Sequence, residues 1–234
     1  MTPREFNERL GKRARKAGVA PDQALVDALY AYFHLLSFWN QRVNLTAFTL
    51  DNAPDEAIDR LLIEPLVVSK HLHGTHHAPG FHGGLHGPQL GPRPRMLDIG
   101  SGGGSPAIPL KLAMPALNLT MVESKTRKSA FLREAVRVLN LADAAVETAR
   151  AEDLLTRSEL VESQDLVTIR AVRIEQKLLT KIQLFLRLGG RILLFRSTGG
   201  SEAPPPATPP LVYEATWTLV ESLRSRLVVL RKML

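Results

Sequence analysis

The chain has 234 residues, 44% of them apolar, enough to bury one sizeable core and to carry a small appended lobe. It contains no cysteine, which excludes disulfides, thiolate zinc sites and cysteine nucleophiles. A formal net charge of +7 creates a field that attracts polyanions, nucleic acid first and a membrane surface second.

The N-terminal stretch MTPREFNERLGKRARKAG is charged throughout. Nowhere does the sequence reach the ~18 uninterrupted apolar residues of a membrane span, so the expected location is the cytoplasm. Residues 21–40, PDQALVDALYAYFHLLSFWN, place Leu25, Leu29, Tyr32, Phe33 and Leu36 at three- and four-residue steps, which predicts a helix started at Asp22. A second helix is predicted over DEAIDRLLIEPLVVSKHL, residues 55–72. Together they form a helical lobe over residues 1–70.

Residues 71–94 are rich in Gly, Pro and His and have no periodicity, so they read as a flexible insertion. Six of the seven histidines lie between His71 and His86, but a Gly/Pro tract holds no ligand rigidly, and no metal site is expected.

From Arg95 to the end, strands alternate with helices, the pattern of a parallel sheet covered on both faces. The strands are RMLDI, NLTMVE, AAVETAR, DLVTIR and GRILLF, with PAIPLKLAM, KTRKSAFLREAVRVLNL, a short AEDLL and IEQKLLTKIQLFLRL as helices. After the proline-rich SEAPPPATPPL, the stretches YEATWTLV and SRLVVLRKML form a closing antiparallel pair, giving seven strands in all.

Residues 96–106, MLDIGSGGGSP, run a strand into a glycine loop and then a helix, where an open α/β sheet binds its ligand. A phosphate-binding P-loop needs Gly-Lys-Ser/Thr there, and the first lysine is Lys111. A dinucleotide fingerprint needs a third glycine where Ser105 stands. The string does match Asp-x-Gly-x-Gly-x-Gly, from Asp98 through Gly100, Ser101 and Gly102 to Gly104. This is similar to the first motif of class I S-adenosylmethionine-dependent methyltransferases. Such a loop lets the backbone approach a cofactor where a Cβ would collide. Ser105 and Pro106 suit the cap and first turn of the next helix. Glu123, about 20 residues beyond the loop, stands where Rossmann-like folds place an acid for ribose hydroxyls.

Beyond the loop, FWNQRVNLTAF (38–48), LDIGSGGGSPAIPLKL (97–112), VESKTRKSAFLREAVRVLNL (122–141), ARAEDL (149–154) and DLVTIRAV (165–172) together resemble the small-subunit ribosomal RNA guanine-N7 methyltransferases, also called glucose-inhibited division protein B. The resemblance implies a Rossmann-like, seven-stranded class I methyltransferase domain over residues 95–234. It implies S-adenosylmethionine as cofactor, with Gly100 and Ser105 lining it, Ala151 and Glu152 beside the adenine, and Arg170 near the methionine end. The chain departs from the family pattern at RLLIEPL (60–66), where relatives often carry His-x-x-Asp-Ser. It also has Pro106-Ala107-Ile108-Pro109 for Pro-Gly-Ile-Pro, and Arg196 in the place of a lysine.

Guanine N7 carries a free lone pair, so its methylation needs no base, and positioning is the enzyme's task. No general acid or base is expected, and Arg170 is the nearest candidate for a side chain at the reacting centre. Phe38, Trp39 and Phe48 offer stacking faces, although Trp39 reads more readily as core. Asn44 and Thr46 read as a loop fixing the lobes together. Basic residues cluster in RLGKRARK and at Lys125, Arg127, Lys128, Arg133 and Arg137, where Arg133 and Arg137 share a helix face suited to phosphates. The reading is a monomeric methyltransferase acting on a guanine N7 of 16S ribosomal RNA or the 30S subunit. The alternatives are a catalytically silent RNA-binding or assembly factor on the same fold and an NAD-binding oxidoreductase.

Overall fold

The computed structural model describes residues 1–72, 90–170, 176–196 and 207–233. Its first helix, α1 (Pro3–Lys16), begins with Pro3 in the first turn and Thr2 as cap, whose hydroxyl accepts from Glu5 N at 3.3 Å. It buries Phe6, Leu10 and Ala14. In α2 (Gln23–Val43) the expected cap is present, Asp22 Oδ1 accepting from Leu25 N at 2.8 Å. Leu29, Tyr32, Phe33 and Leu36 are buried as the periodicity requires, while Leu25 is only partly covered.

The single helix predicted over residues 55–72 is three pieces: α3 (Asp55–Ile58), a π-helical turn (Asp59–Ile63) and α4 (Glu64–Leu72). Pro65 accounts for the break. It has no N–H for the carbonyl four residues back, and its ring crowds that carbonyl, so the preceding turn widens.

The sheet contains β1 (Arg95–Ile99), β2 (Asn118–Val122), β3 (Ala144–Glu147), β4 (Gln164–Arg170), β5 (Leu186–Arg196), β6 (Leu211–Val220) and β7 (Ser225–Lys232). Their order is β3-β2-β1-β4-β5-β7-β6. β1 to β5 are parallel, and β7 runs antiparallel between β5 and β6. The helices between strands are α5 (Ala107–Ala113), α6 (Thr126–Val138) and α7 (Gln176–Ile182), with a 3₁₀ turn at Ala151–Thr156.

Three local expectations are corrected. β3 ends at Glu147 and does not reach Arg150. The helix predicted over residues 174–188 stops at Ile182. Leu186 already pairs with Gln164 in the sheet, where ladder hydrogen bonds and the burial of Leu186 override the helical spacing. Ser105 does not cap α5: the residue before the helix is Pro106, without a side-chain cap. The histidine tract, apart from its first residues and Leu90 onward, and most of the proline-rich segment lie outside the described residues.

Successive strand residues point to opposite faces. Met96, Leu119, Met121, Leu166 and Leu193 join one core with α1 to α6, and Leu97, Ile99, Val167, Ile169 and Leu194 join a second with α7 and the 3₁₀ turn. The N-terminal helices therefore stack on the sheet face that also carries α5 and α6. This brings α2 and the π turn against the glycine loop.

Candidate methyl-donor site

β1 ends by delivering Asp98 and Ile99 to the loop. Gly100 N and Ser101 N both donate to Val122 O, at 2.9 and 3.0 Å, which anchors the loop to β2. Gly100, Gly102 and Gly104 have φ of 74°, 50° and 82°, a region costly for residues with a Cβ. Crowding differs among the glycines. A Cβ at Gly104 would lie 2.5 Å from Ile108 Cδ1, and one at Gly103 would lie 3.2 Å from both Leu36 Cδ1 and Leu45 O. At Gly102 the nearest atom would be Gly100 O at 3.7 Å. A Cβ at Gly104 would thus press on α5 and one at Gly103 on α2 and the 44–48 loop, whereas one at Gly102 would make only ordinary contacts.

Asp98 is 1% exposed. Its Oδ1 accepts from the Thr168 hydroxyl at 2.6 Å, and its Oδ2 has no partner. Burial pushes its carboxyl above the ordinary aspartate range, against the pull of hydrogen bonding and Arg170. The Ser101 hydroxyl donates to Asp98 O at 3.1 Å. Glu123, buried just past β2, accepts from Gly102 N at 3.0 Å and from Lys125 N at 2.8 Å, and so ties the loop to the start of α6. Ala151 is buried at the head of its 3₁₀ turn, and exposed Glu152 lies 3.7 Å from Lys181. Strand ends thus gather Asp98, Glu123 and the glycine loop, as the sequence anticipates. The orphaned Asp98 oxygen, the open Gly102 position and the acid beyond β2 form a cradle that fits an adenosyl methyl donor.

The N-terminal helices grip this loop from behind. The buried Tyr32 hydroxyl donates to Gly103 O at 2.6 Å, and burial raises its phenol so that it stays protonated. Asn40 Oδ1 accepts from Leu45 N and Thr46 N at 2.7 and 2.9 Å, while its Nδ2 donates to Phe48 O at 3.1 Å. Asn40 thereby shapes the 44–48 loop that meets Gly103, with Asn44 at positive φ. The Ser105 hydroxyl donates to Leu61 O at 2.8 Å.

Arg170, at the end of β4, is turned toward the same helices. One nitrogen donates to Arg60 O and to Ser105 Oγ, the other to Glu64 Oε2 at 2.6 Å, and the guanidinium lies 4.4 Å from the Phe195 ring centre. Burial pushes Glu64 up despite Arg170 and lowers Arg170 despite Glu64. Sequence reading missed Glu64, Asn40 and the Tyr32 hydroxyl. Pro65 inside a helical pattern was the one available signal for the first, and Asn40 sits unremarked within FWNQRVNLTAF.

The basic residues separate into two kinds. Arg9 is bound to Asp55 and Ala53 O, and Arg13 to the buried Asp59, so two of the five basic residues in RLGKRARK are structural. Lys125 and Arg127 are exposed, and Lys128 is half-buried. Arg133 donates to Thr148 Oγ1 at 2.6 Å, and Arg137 pairs with Glu134 at 2.7 Å. Among the aromatic candidates, Phe38 is 52% exposed with Arg42 over its ring, Trp39 packs edge-on against Phe131, and Phe48 is half-buried.

A parallel sheet with one antiparallel strand inserted between β5 and β6, a glycine loop after β1 and an acid after β2 define a class I S-adenosylmethionine-dependent methyltransferase. An all-parallel dinucleotide-binding sheet lacks that inserted strand. The fold is similar to that of an MtNAS variant crystallised with S-adenosylmethionine, with TM-score 0.57 and 13% identity over 98% of this chain and 80% of that one. It is also similar to an S-adenosylmethionine-dependent methyltransferase from Aquifex aeolicus, with TM-score 0.50 and 12% identity over 76% of this chain and 93% of that one. The chain belongs to the rRNA small subunit methyltransferase G family, whose model matches residues 26–203. It is 36% identical to the ribosomal RNA small subunit methyltransferase G of Roseiflexus castenholzii, over 75% of this chain and 67% of that protein. It is 31% identical to the protein of the same name from Streptococcus sanguinis, over 86% and 76%. Among the described residues, no helix is long and apolar enough to cross a membrane.

Proposed function

We propose that this chain transfers the methyl group of S-adenosylmethionine to N7 of a guanine in 16S ribosomal RNA, working in the cytoplasm as a monomer. The observation that carries the reading is the glycine loop held between Asp98, Glu123 and Tyr32 in a chain of this family. Bound there, S-adenosylmethionine supplies an electrophilic methyl on sulfonium. Asp98, Gly100, Ser101, Gly102, Gly104, Ser105, Glu123, Ala151, Glu152 and Arg170 would line its site. Glu123 would exchange its bond to Gly102 N for ribose hydroxyls, and Ala151 with Glu152 would border the adenine.

The chain's own task is orientation. Guanine N7 has its lone pair already available, so no side chain need remove a proton, and alignment of the two reactants is worth up to ~7–11 kcal/mol in favourable cases. Exposed Lys125 and Arg127, with Lys128, Arg133 and Arg137 beside them, provide cations for the RNA backbone next to the donor loop.

The test is incubation of the protein with labelled S-adenosylmethionine and small subunits lacking the modification, followed by mapping of N7-methylguanine through chain scission. Label at a single guanine, lost in Gly102→Ala, is the expected result. Donor binding without RNA labelling would instead indicate a silent RNA-binding relative.

A further inference from the structure

We propose that Glu64, on the turn that Pro65 creates, is a positioning residue for the methyl-donor site: it fixes Arg170 and, through it, Ser105 at the exit of the glycine loop. This rests on the methyltransferase reading of that site.

The argument begins with two backbone carbonyls. In a regular helix Leu61 O would accept from residue 65, but Pro65 has no N–H. Arg60 O would accept from Glu64 N, but that N–H bonds to Asp59 O in the wider π turn. Both carbonyls face groups from the other half of the molecule. Leu61 O receives the Ser105 hydroxyl at 2.8 Å, and Arg60 O receives Arg170 Nη1. The irregular turn is thus a socket, which agrees with the tendency of such turns to mark functional sites.

Glu64 completes the socket. Its Oε2 takes Arg170 Nη2 at 2.6 Å, with the carboxylate 2% exposed, and its Oε1 lies 3.7 Å from Arg60 Nη1. Phe195 supports the guanidinium from its face. Arg170 Nη1 also reaches Ser105 Oγ at 3.1 Å. Ser105 directly follows Gly104, so this anchor sets where the loop leaves, just as Tyr32 sets its middle at Gly103. A loop held at two points from the N-terminal helices is preorganised for the donor. The stretch RLLIEPL therefore builds a working part of the site.

The experiment is calorimetric titration of S-adenosylmethionine and S-adenosylhomocysteine into the full chain and its Glu64→Ala, Glu64→Gln and Pro65→Ala variants, with melting curves and, separately, kcat and KM on small subunits. Misplacing the loop in Glu64→Ala should weaken both ligands about ten-fold and lower kcat by a similar factor, with KM for the subunit unchanged. Glu64→Gln, which keeps an acceptor for Arg170, should recover part of the affinity. Pro65→Ala restores an N–H to Leu61 O and should weaken the donor by releasing Ser105. A Glu64→Ala protein that melts earlier yet binds both ligands with wild-type affinity overturns the proposal. If that variant does not fold, wild-type affinity in both Glu64→Gln and Pro65→Ala does the same. Failure of the unaltered chain to bind either ligand would strike at the methyltransferase reading itself, and the proposal would fall with it.

Discussion

Glu64 and Arg170, 106 positions apart, meet at 2.6 Å and join the N-terminal helices to the end of β4. The pair lies beside the glycine loop, so the helices that precede the sheet are part of the donor site's framework. A guanidinium at the carboxyl edge of the sheet is suited to a ligand carboxylate or phosphate. Here its fork is directed to Glu64, Arg60 O and Ser105 instead.

The glycines of the loop should separate by cause. Gly104→Ala combines a left-handed backbone with a Cβ 2.5 Å from Ile108 Cδ1, and should cost about 2–4 kcal/mol in urea unfolding. Gly102→Ala carries the backbone cost alone, about 1–2 kcal/mol. Calorimetry should find donor affinity lost in both.

Arg13 and Asp59 form a buried pair, with side chains 14% and 1% exposed. Arg13→Ala strands the carboxylate and should cost about 3 kcal/mol, whereas Arg4→Ala, in a fully solvated pair, should change stability by less than about 0.5 kcal/mol. Chemical denaturation of both variants checks the contrast.

The raised Asp98 carboxyl gives stability a pH dependence of defined sign. Its folded form holds a proton more tightly than the unfolded chain does. This contribution is complete below the ordinary aspartate pKa of about 3.9 and is lost as pH rises through the folded value. Asp98→Asn cannot titrate and should lack this decline, so its unfolding free energy should fall less between acidic and neutral pH. A decline as steep as that of the unaltered chain would show that Asp98 does not contribute.

Binding to 16S ribosomal RNA should weaken steeply with salt, and Lys125→Ala or Arg127→Ala should each reduce the log–log slope by about 0.7–0.9. Arg9→Ala should leave the slope alone, since Arg9 is committed to Asp55 and Ala53 O. Filter binding between low and physiological salt separates the two groups.

Local pattern determined much of this protein. Helical spacing from Leu29 to Leu36, the alternation of strands and helices after Arg95, and the string from Asp98 to Gly104 each depend on neighbours in sequence. They specified a doubly covered sheet, its closing antiparallel pair and the place of the ligand loop. Only the tertiary structure decided how the π turn formed by Pro65 is used, that Glu64 seizes Arg170, that Ser105 bonds Leu61 O in place of capping α5, and that Arg9 and Arg13 are occupied within the fold. The physical reason is the same each time. A buried donor or acceptor is stabilised by a partner, and when that partner lies 44 to 106 residues away, only the folded chain can bring the two together.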